Sequence, residues 1–91
     1  MVDEPPAEEI LKFPMDWPIK VVGRRAEMQR AEIDAIVRQH APDLTDAQIK
    51  ERESKEHHFL SITYTINAQS KEQVVSLATA LQAAKGVIML I

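Results

Sequence analysis

Residues 59–86 read FLSITYTINAQSKEQVVSLATALQAAKG, and the change of apolar period inside that stretch decides the fold. In its first part Leu60, Ile62, Tyr64 and Ile66 alternate with Ser61, Thr63, Thr65 and Asn67, the period of a strand with one buried face. Beyond Asn67-Ala68-Gln69 the apolar positions become Val74, Leu77, Ala78, Leu81 and Ala84, the spacing of an amphipathic helix. Ser70-Lys71-Glu72-Gln73 stands at the changeover and reads as a capping box, with a serine oxygen placed to accept an early helical N–H and a glutamine three residues on. Lys85-Gly86 closes the helix with a cation beside its last carbonyls and a residue able to take the left-handed cap.

Working outward, Val87-Ile88-Met89-Leu90-Ile91 follows as a last strand, apolar at every position. Upstream, residues 44–55 (LTDAQIKERESK) alternate weakly through Ala47, Ile49, Glu51 and Glu53, and their crowded charge suits an edge strand guarded against unwanted pairing. A turn at Glu56-His57 would join it to the strong strand. From Glu27 to His40 the chain reads as a helix with Ile33, Ile36, Val37 and His40 on one face. Glu27 with Arg30, Arg30 with Asp34, and Asp34 with Arg38 sit at ion-pair spacing on the solvated side. No good N-cap precedes this helix, and His40-Ala41-Pro42 ends it. Residues 17–23 (WPIKVVG) give the first strand, Ile19 and Val21 facing one way and Lys20 and Val22 the other, with Gly23 marking a turn.

Residues 1–9, acidic and holding Pro5-Pro6, read as a mobile lead-in, leaving one domain over residues 10–91. Ile10, Leu11, Phe13 and Trp17 are expected against the sheet or a helix, because four large apolar side chains so close together are costly to leave in water. Pro14 and Pro18 are expected to keep this segment out of any helix or central strand.

The chain has 91 residues, 14 Asp and Glu against 11 Lys and Arg, and no cysteine. That length supports about one sheet layer and one helix layer. Lack of cysteine excludes disulfides, thiolate catalysis and cysteine metal sites. An acidic start without an apolar core, and no long apolar run, predict a soluble cytoplasmic protein with no membrane partner. The folded part is near neutral, without the positive field of a nucleic-acid binder.

The order is β-α-β-β-α-β, an α+β ferredoxin-like sandwich. Right-handed crossovers predict an antiparallel four-stranded sheet in order 4-1-3-2 with both helices on one face. With that order in hand, the sequence resembles the YbeD family of small uncharacterised bacterial proteins with an ACT-like fold. The resemblance rests on Phe13-Pro14, Ile19-Lys20-Val21-Val22-Gly23, His40-Ala41-Pro42, Ser54-Lys55, Ser61-Ile62-Thr63, Ile66-Asn67-Ala68 and Glu72-Gln73-Val74. The chain departs from the family at Glu56, where a glycine is expected and a longer turn follows; at Ala78, where tyrosine is frequent; and at Ile88, where a polar residue is usual. The resemblance implies a fold that often binds small regulatory metabolites or pairs into dimers, with a gene-neighbourhood link to lipoate metabolism.

Gly23-Arg24-Arg25, with Lys20 nearby, is the candidate ligand site. Two guanidiniums beside backbone N–H groups ahead of a helix can hold a carboxylate or phosphate of a small anionic metabolite, with Gly23 permitting close approach. The competing reading is a pair of solvated loop arginines. An acylphosphatase-like arrangement would need Asn67 to join Arg24, and Asn67 lies at the far end of its strand. His40, His57 and His58 lack metal-ligand spacing, so no metal, other cofactor or catalytic residue is expected. An RNA-binding sheet face would need aromatics, and Phe59 alone stands among Ser61, Thr63 and Thr65. The last strand, Ile88, Met89, Leu90 and Ile91, is the candidate interface for a second copy or another protein. The small outer residues Ser76, Thr79, Ala80 and Ala83 of the second helix would let another element approach. Cover of the last strand by residues 10–17 and dimerisation through it are both compatible with the sequence.

Overall fold

A computed structural model describes residues 12–91. The expected lead-in over residues 1–9, and the packing expected of Ile10 and Leu11, lie outside the described residues. The elements are β1 (Met15–Arg24), α1 (Arg30–His40), a short 3-10 turn (Asp46–Gln48), β2 (Ile49–Glu53), β3 (Phe59–Ala68), α2 (Lys71–Gln82) and β4 (Val87–Leu90). All pairings are antiparallel and the strands lie in the order β2-β3-β1-β4, the predicted 4-1-3-2 read from the other edge.

Alternation in β3 drives the packing. Leu60, Ile62, Tyr64, Ile66 and Ala68 point into the core, where Ile19 and Val21 of β1 meet Ile33 and Val37 of α1 and Leu77 and Leu81 of α2. Both helices therefore cover the same side of the sheet. Burial of each large aliphatic side chain contributes roughly 1.5–3 kcal/mol, which the ordering of the chain largely offsets.

β1 corrects one expectation. It starts at Met15, two residues earlier than WPIKVVG indicates, and Pro18 sits inside a central strand, opposite Thr65 of β3. The ladder explains why this is tolerated. The N–H groups of Lys20 and Arg24 point toward β4, to the carbonyls of Ile91 (3.1 Å) and Gly86 (2.9 Å). The nitrogen of Pro18 has the same parity and faces that side beyond the last β4 pairing, so no ladder bond is lost there. Trp17 stacks on Phe13 with ring centroids 6.3 Å apart, and both pack against the core. Residues 15–17 belong to β1 and pair with β3, so this part of the segment does not lie over β4.

Gly23 is likewise not the turn. It lies within β1 at an irregularity in the β1–β4 register, and the turn spans residues 25–27. Closure comes from the Arg24 carbonyl, which accepts from the N–H groups of Glu27 (3.0 Å) and Met28 (2.8 Å) and thereby turns Met28 into the core. α1 consequently starts at Arg30, not Glu27, without a side-chain cap, as its sequence indicates. Of the expected surface pairs Arg30–Asp34 forms at 3.5 Å. Arg38 reaches the Leu44 carbonyl (2.8 Å) and Asp46 (3.0 Å) instead of Asp34. Asp34 accepts a hydrogen bond from the buried Tyr64 hydroxyl.

Ser70 caps α2, its hydroxyl accepting from Gln73 N at 3.1 Å. The reciprocal half of the box is altered. Gln73 Oε1 accepts from the Gln69 N–H (2.6 Å) and its Nε2 donates to the His40 carbonyl (2.7 Å), tying the start of α2 to the end of α1. Gly86 takes φ +85° as the left-handed residue after α2, where a side chain is disfavoured.

Candidate functional site

The loop after β1 and the β2–β3 hairpin meet at one end of the sheet. In the hairpin, Ser54 N donates to the Phe59 carbonyl (3.0 Å), and His57 N to the Ser54 carbonyl (3.0 Å). His57 carries the positive φ of 61° that a glycine would ordinarily take. Arg25 N donates to the His58 carbonyl at 3.0 Å, which docks loop on hairpin. Between them lies a shallow cavity of about 380 Å³ lined by Arg24, Arg25, Ala26, Glu27 and His57 to Phe59.

The four candidate ligand residues do not share one environment. Arg25 is held by Glu53, Nε to Oε1 at 2.6 Å, and His57 Nδ1 takes the other carboxylate oxygen at 2.5 Å. The His57 contact first, and then Arg25, holds the Glu53 carboxyl below its ordinary range. Arg24 has no ion pair with another described residue, and by register it stands opposite Phe59 on the helix-free face. Gly23 faces inward. A Cβ there would meet the Met28 sulfur and lie 2.7 Å from the Gly86 oxygen, so its close approach serves packing within the chain. The N–H groups of Arg24, Arg25, Glu27 and Met28 all have backbone partners. What the loop presents outward is the Arg24 guanidinium rather than a row of vacant amides.

Lys20 lies four residues, two pleat repeats, farther along the same helix-free face, opposite Thr63. Asn67 pairs with Asp16 at the other end of the sheet, eight residues along β3 from Phe59, a separation of about 26 Å. Arg24 and Asn67 therefore do not converge. His40 and His57 are also apart, His40 Nδ1 contacting the Ile36 carbonyl at 2.9 Å at the end of α1. Among the described residues no group of three His, Asp or Glu side chains gathers as a metal site, and no helix is long and apolar enough to cross a membrane.

At the opposite edge β4 pairs only with β1. Ile88, Met89 and Ile91 are 44, 49 and 70% exposed, whereas Leu90 packs against the core. Val75 of α2 adds an exposed apolar side chain beside Ser76 that the helix periodicity did not single out.

An antiparallel four-stranded sheet with both helices on one face is an α+β ferredoxin-like arrangement, a fold that by itself assigns no chemistry. A family described as a protein of unknown function, DUF493, matches residues 8–91. The chain belongs to this YbeD-like family of uncharacterised bacterial proteins. It is similar to a UPF0250 protein of Bordetella pertussis, 36% identical over 77 residues and 85% of each chain. A UPF0250 protein of Nitrosomonas europaea is 36% identical over 84 residues, 92% of this chain and 97% of its own. One from Hahella chejuensis is 32% identical over the whole of both chains. No solved structure matches the chain.

Proposed function

We propose that this protein is a regulatory binding module without catalytic chemistry of its own, acting in the cytoplasm and associating with a second copy or another protein through β4. One observation carries the reading: β4 is an edge strand whose Ile88, Met89 and Ile91 stay exposed while its inward residues join the core. Such an edge offers unpaired backbone groups and apolar side chains together, the two ingredients of strand addition. Light scattering of the protein over a wide concentration range tests the homodimer. A concentration-dependent doubling of mass that Met89→Lys abolishes is the expected result, with a wild-type monomer at millimolar protein retiring it.

A second reading, favoured by the unpaired Arg24 beside the loop–hairpin cavity, is a small anionic metabolite held there, with Arg25 and Lys20 adding positive potential. A thermal-shift screen of organic acids, including lipoate, tests it. Stabilisation that Arg24→Ala removes supports the site; equal stabilisation of both proteins, or none by any acid, overturns it. Arg24 is the residue to change because altering Arg25 would also release Glu53.

A further inference from the structure

The strand register sorts the cations of this chain by face. On the side that carries the helices, Arg25, Arg30 and Arg38 are all paired: Arg25 with Glu53 at 2.6 Å, Arg30 with Asp34 at 3.5 Å and Glu51 at 3.4 Å, Arg38 with Asp46 at 3.0 Å. On the helix-free side the outward positions of three adjacent strands include Lys50 and Arg52 of β2, Phe59, Ser61, Thr63 and Thr65 of β3, and Lys20, Val22 and Arg24 of β1. None of those four cations has an ion pair among the described residues. Thr63 is flanked by Lys20 on one side and Lys50 on the other, and Ser61 by Val22 and Arg52. Two strand spacings separate Lys20 from Lys50, about 10 Å, and four residues separate Lys20 from Arg24, about 13 Å. A depression of about 370 Å³ is lined by Lys20, Lys50, Glu51, Arg52, Ser61 and Thr63, and the Glu51 carboxylate is engaged by Arg30. The one acid that the register puts on this face, Asp16, sits at its far end opposite Asn67.

This segregation is unusual in a chain whose acids outnumber its bases, 14 to 11. Collecting four cations on one face leaves the rest of the surface more acidic still. Like charges held this close repel one another, and the nearby carboxylates of Glu51 and Glu53 are committed to Arg30 and to Arg25 and His57, so the arrangement favours a complementary partner. We infer that the helix-free face of the sheet is a docking surface for an acidic protein segment, whose carboxylates take Lys20, Lys50, Arg52 and Arg24 while the Ser61 and Thr63 hydroxyls donate between them. Carboxylates on one side of an extended strand or a helix recur at about 5–7 Å, so a few of them span the patch. Nucleic acid fits less well. The β3 ridge presents hydroxyls where base stacking needs a row of aromatics, and a polyanion running past this small patch would meet the acidic remainder of the surface. The surface adjoins β4, where Met89 and Ile91 stand beside Val22 and Lys20, but Lys50 and Arg52 lie on β2, with β3 and β1 between, so reversing their charge leaves the β4 edge intact and the two readings fail separately.

The experiment is a backbone-amide NMR titration of the whole protein with a glutamate-rich peptide of about a dozen residues, and in parallel with a uridine-rich RNA of similar length. The expected result is saturable shifts at Lys20, Lys50, Arg52, Ser61 and Thr63, weakened at least tenfold by Lys50→Glu with Arg52→Glu, kept by Lys50→Arg with Arg52→Lys, and diminished by added salt. Lys20→Gln, whose own spectrum reports its fold, provides an independent loss of binding. The proposal is overturned by any of three results: no shifts with peptide at millimolar concentration, equal shifts in the charge-reversed protein, or tighter binding of RNA than of peptide.

Discussion

Replacing Gly86 with alanine puts the heaviest demand on the account of how the loop after β1 is held. Gly86 has φ +85°, in the region where an L side chain costs about 1–2 kcal/mol. Its added Cβ would also lie 2.5 Å from Met28 N and 2.8 Å from both Glu27 C and Met28 Cα. These are backbone atoms, fixed by the two hydrogen bonds to the Arg24 carbonyl, so relief requires the turn itself to move. Overpacking of this kind costs about 1–3 kcal/mol, and the two contributions together come to roughly 2–5 kcal/mol. For a domain of this length each kcal/mol lowers Tm by about 4–8 °C, giving a fall of roughly 8–40 °C. Urea and thermal denaturation measure the loss, and hydrogen exchange at the Arg24 amide, which donates to the Gly86 carbonyl, shows where the structure loosens. Gly86→Asn discriminates between the two causes, since asparagine tolerates positive φ but brings the same Cβ. The reasoning is refuted if alanine costs less than about 1 kcal/mol, or if asparagine restores wild-type stability, for then the contact with residues 27 and 28 has no weight.

Two further perturbations test the polar contacts. Tyr64 donates its hydroxyl to Asp34, and burial, followed by that bond, pushes its ionisation well above the ordinary value of 10.0. A group whose folded pKa is raised adds stability that is complete below the unfolded pKa and declines as pH rises beyond it. Wild type should lose stability above about pH 10 by a margin that Tyr64→Phe does not show, and the substitution itself should cost about 1–2 kcal/mol at neutral pH. Parallel alkaline denaturation profiles for both proteins would remove the buried hydroxyl from the account. The Glu53 carboxyl is held low by His57 and Arg25, so its contribution to loop–hairpin docking is present above the ordinary 4.5 and fades as pH falls through the lower folded value. Carbon-detected NMR of the Glu53 carboxyl should record a midpoint below 4.5 that His57→Ala raises; an unchanged midpoint in that variant would reject the contact as the main cause.

The elements that could be read from the sequence are those whose signal is local. β3 and α2 follow from a change of period and a cap, and the sheet order follows from chirality once four strands and two helices are counted. β1 runs beyond the WPIKVVG stretch to Met15 and Arg24, and Pro18 is tolerated in its central position because its nitrogen faces past the last β4 pairing, a fact set by neighbours distant in sequence. Met28 carries no periodic signal, because it is buried by a turn ahead of α1 rather than by helix spacing. Thr45 and Gln48 form a capping box like the one whose sequence stands at Ser70, with Thr45 N donating to Gln48 Oε1 at 2.7 Å; the charged run after them masks it with a strand-like alternation. In the candidate loop, Arg24 and Arg25 were legible as cations, but their separation into a free and a paired arginine was not. It depends on Glu53, 28 residues along the chain, arriving beside Arg25. Equally, Lys20, Lys50 and Arg52 alternate visibly in their own strands, while their meeting around Thr63 exists only through the order β2-β3-β1.

Pro18 has one more effect. β1 makes ten rungs with β3, but toward β4 it is paired only as far as Lys20, so the sheet has a step on that side. A strand trying to fill the step in line with β4 would find no donor at Pro18 and gain a broken ladder. Extension of the sheet is thereby discouraged inside the notch, where one rung has no donor.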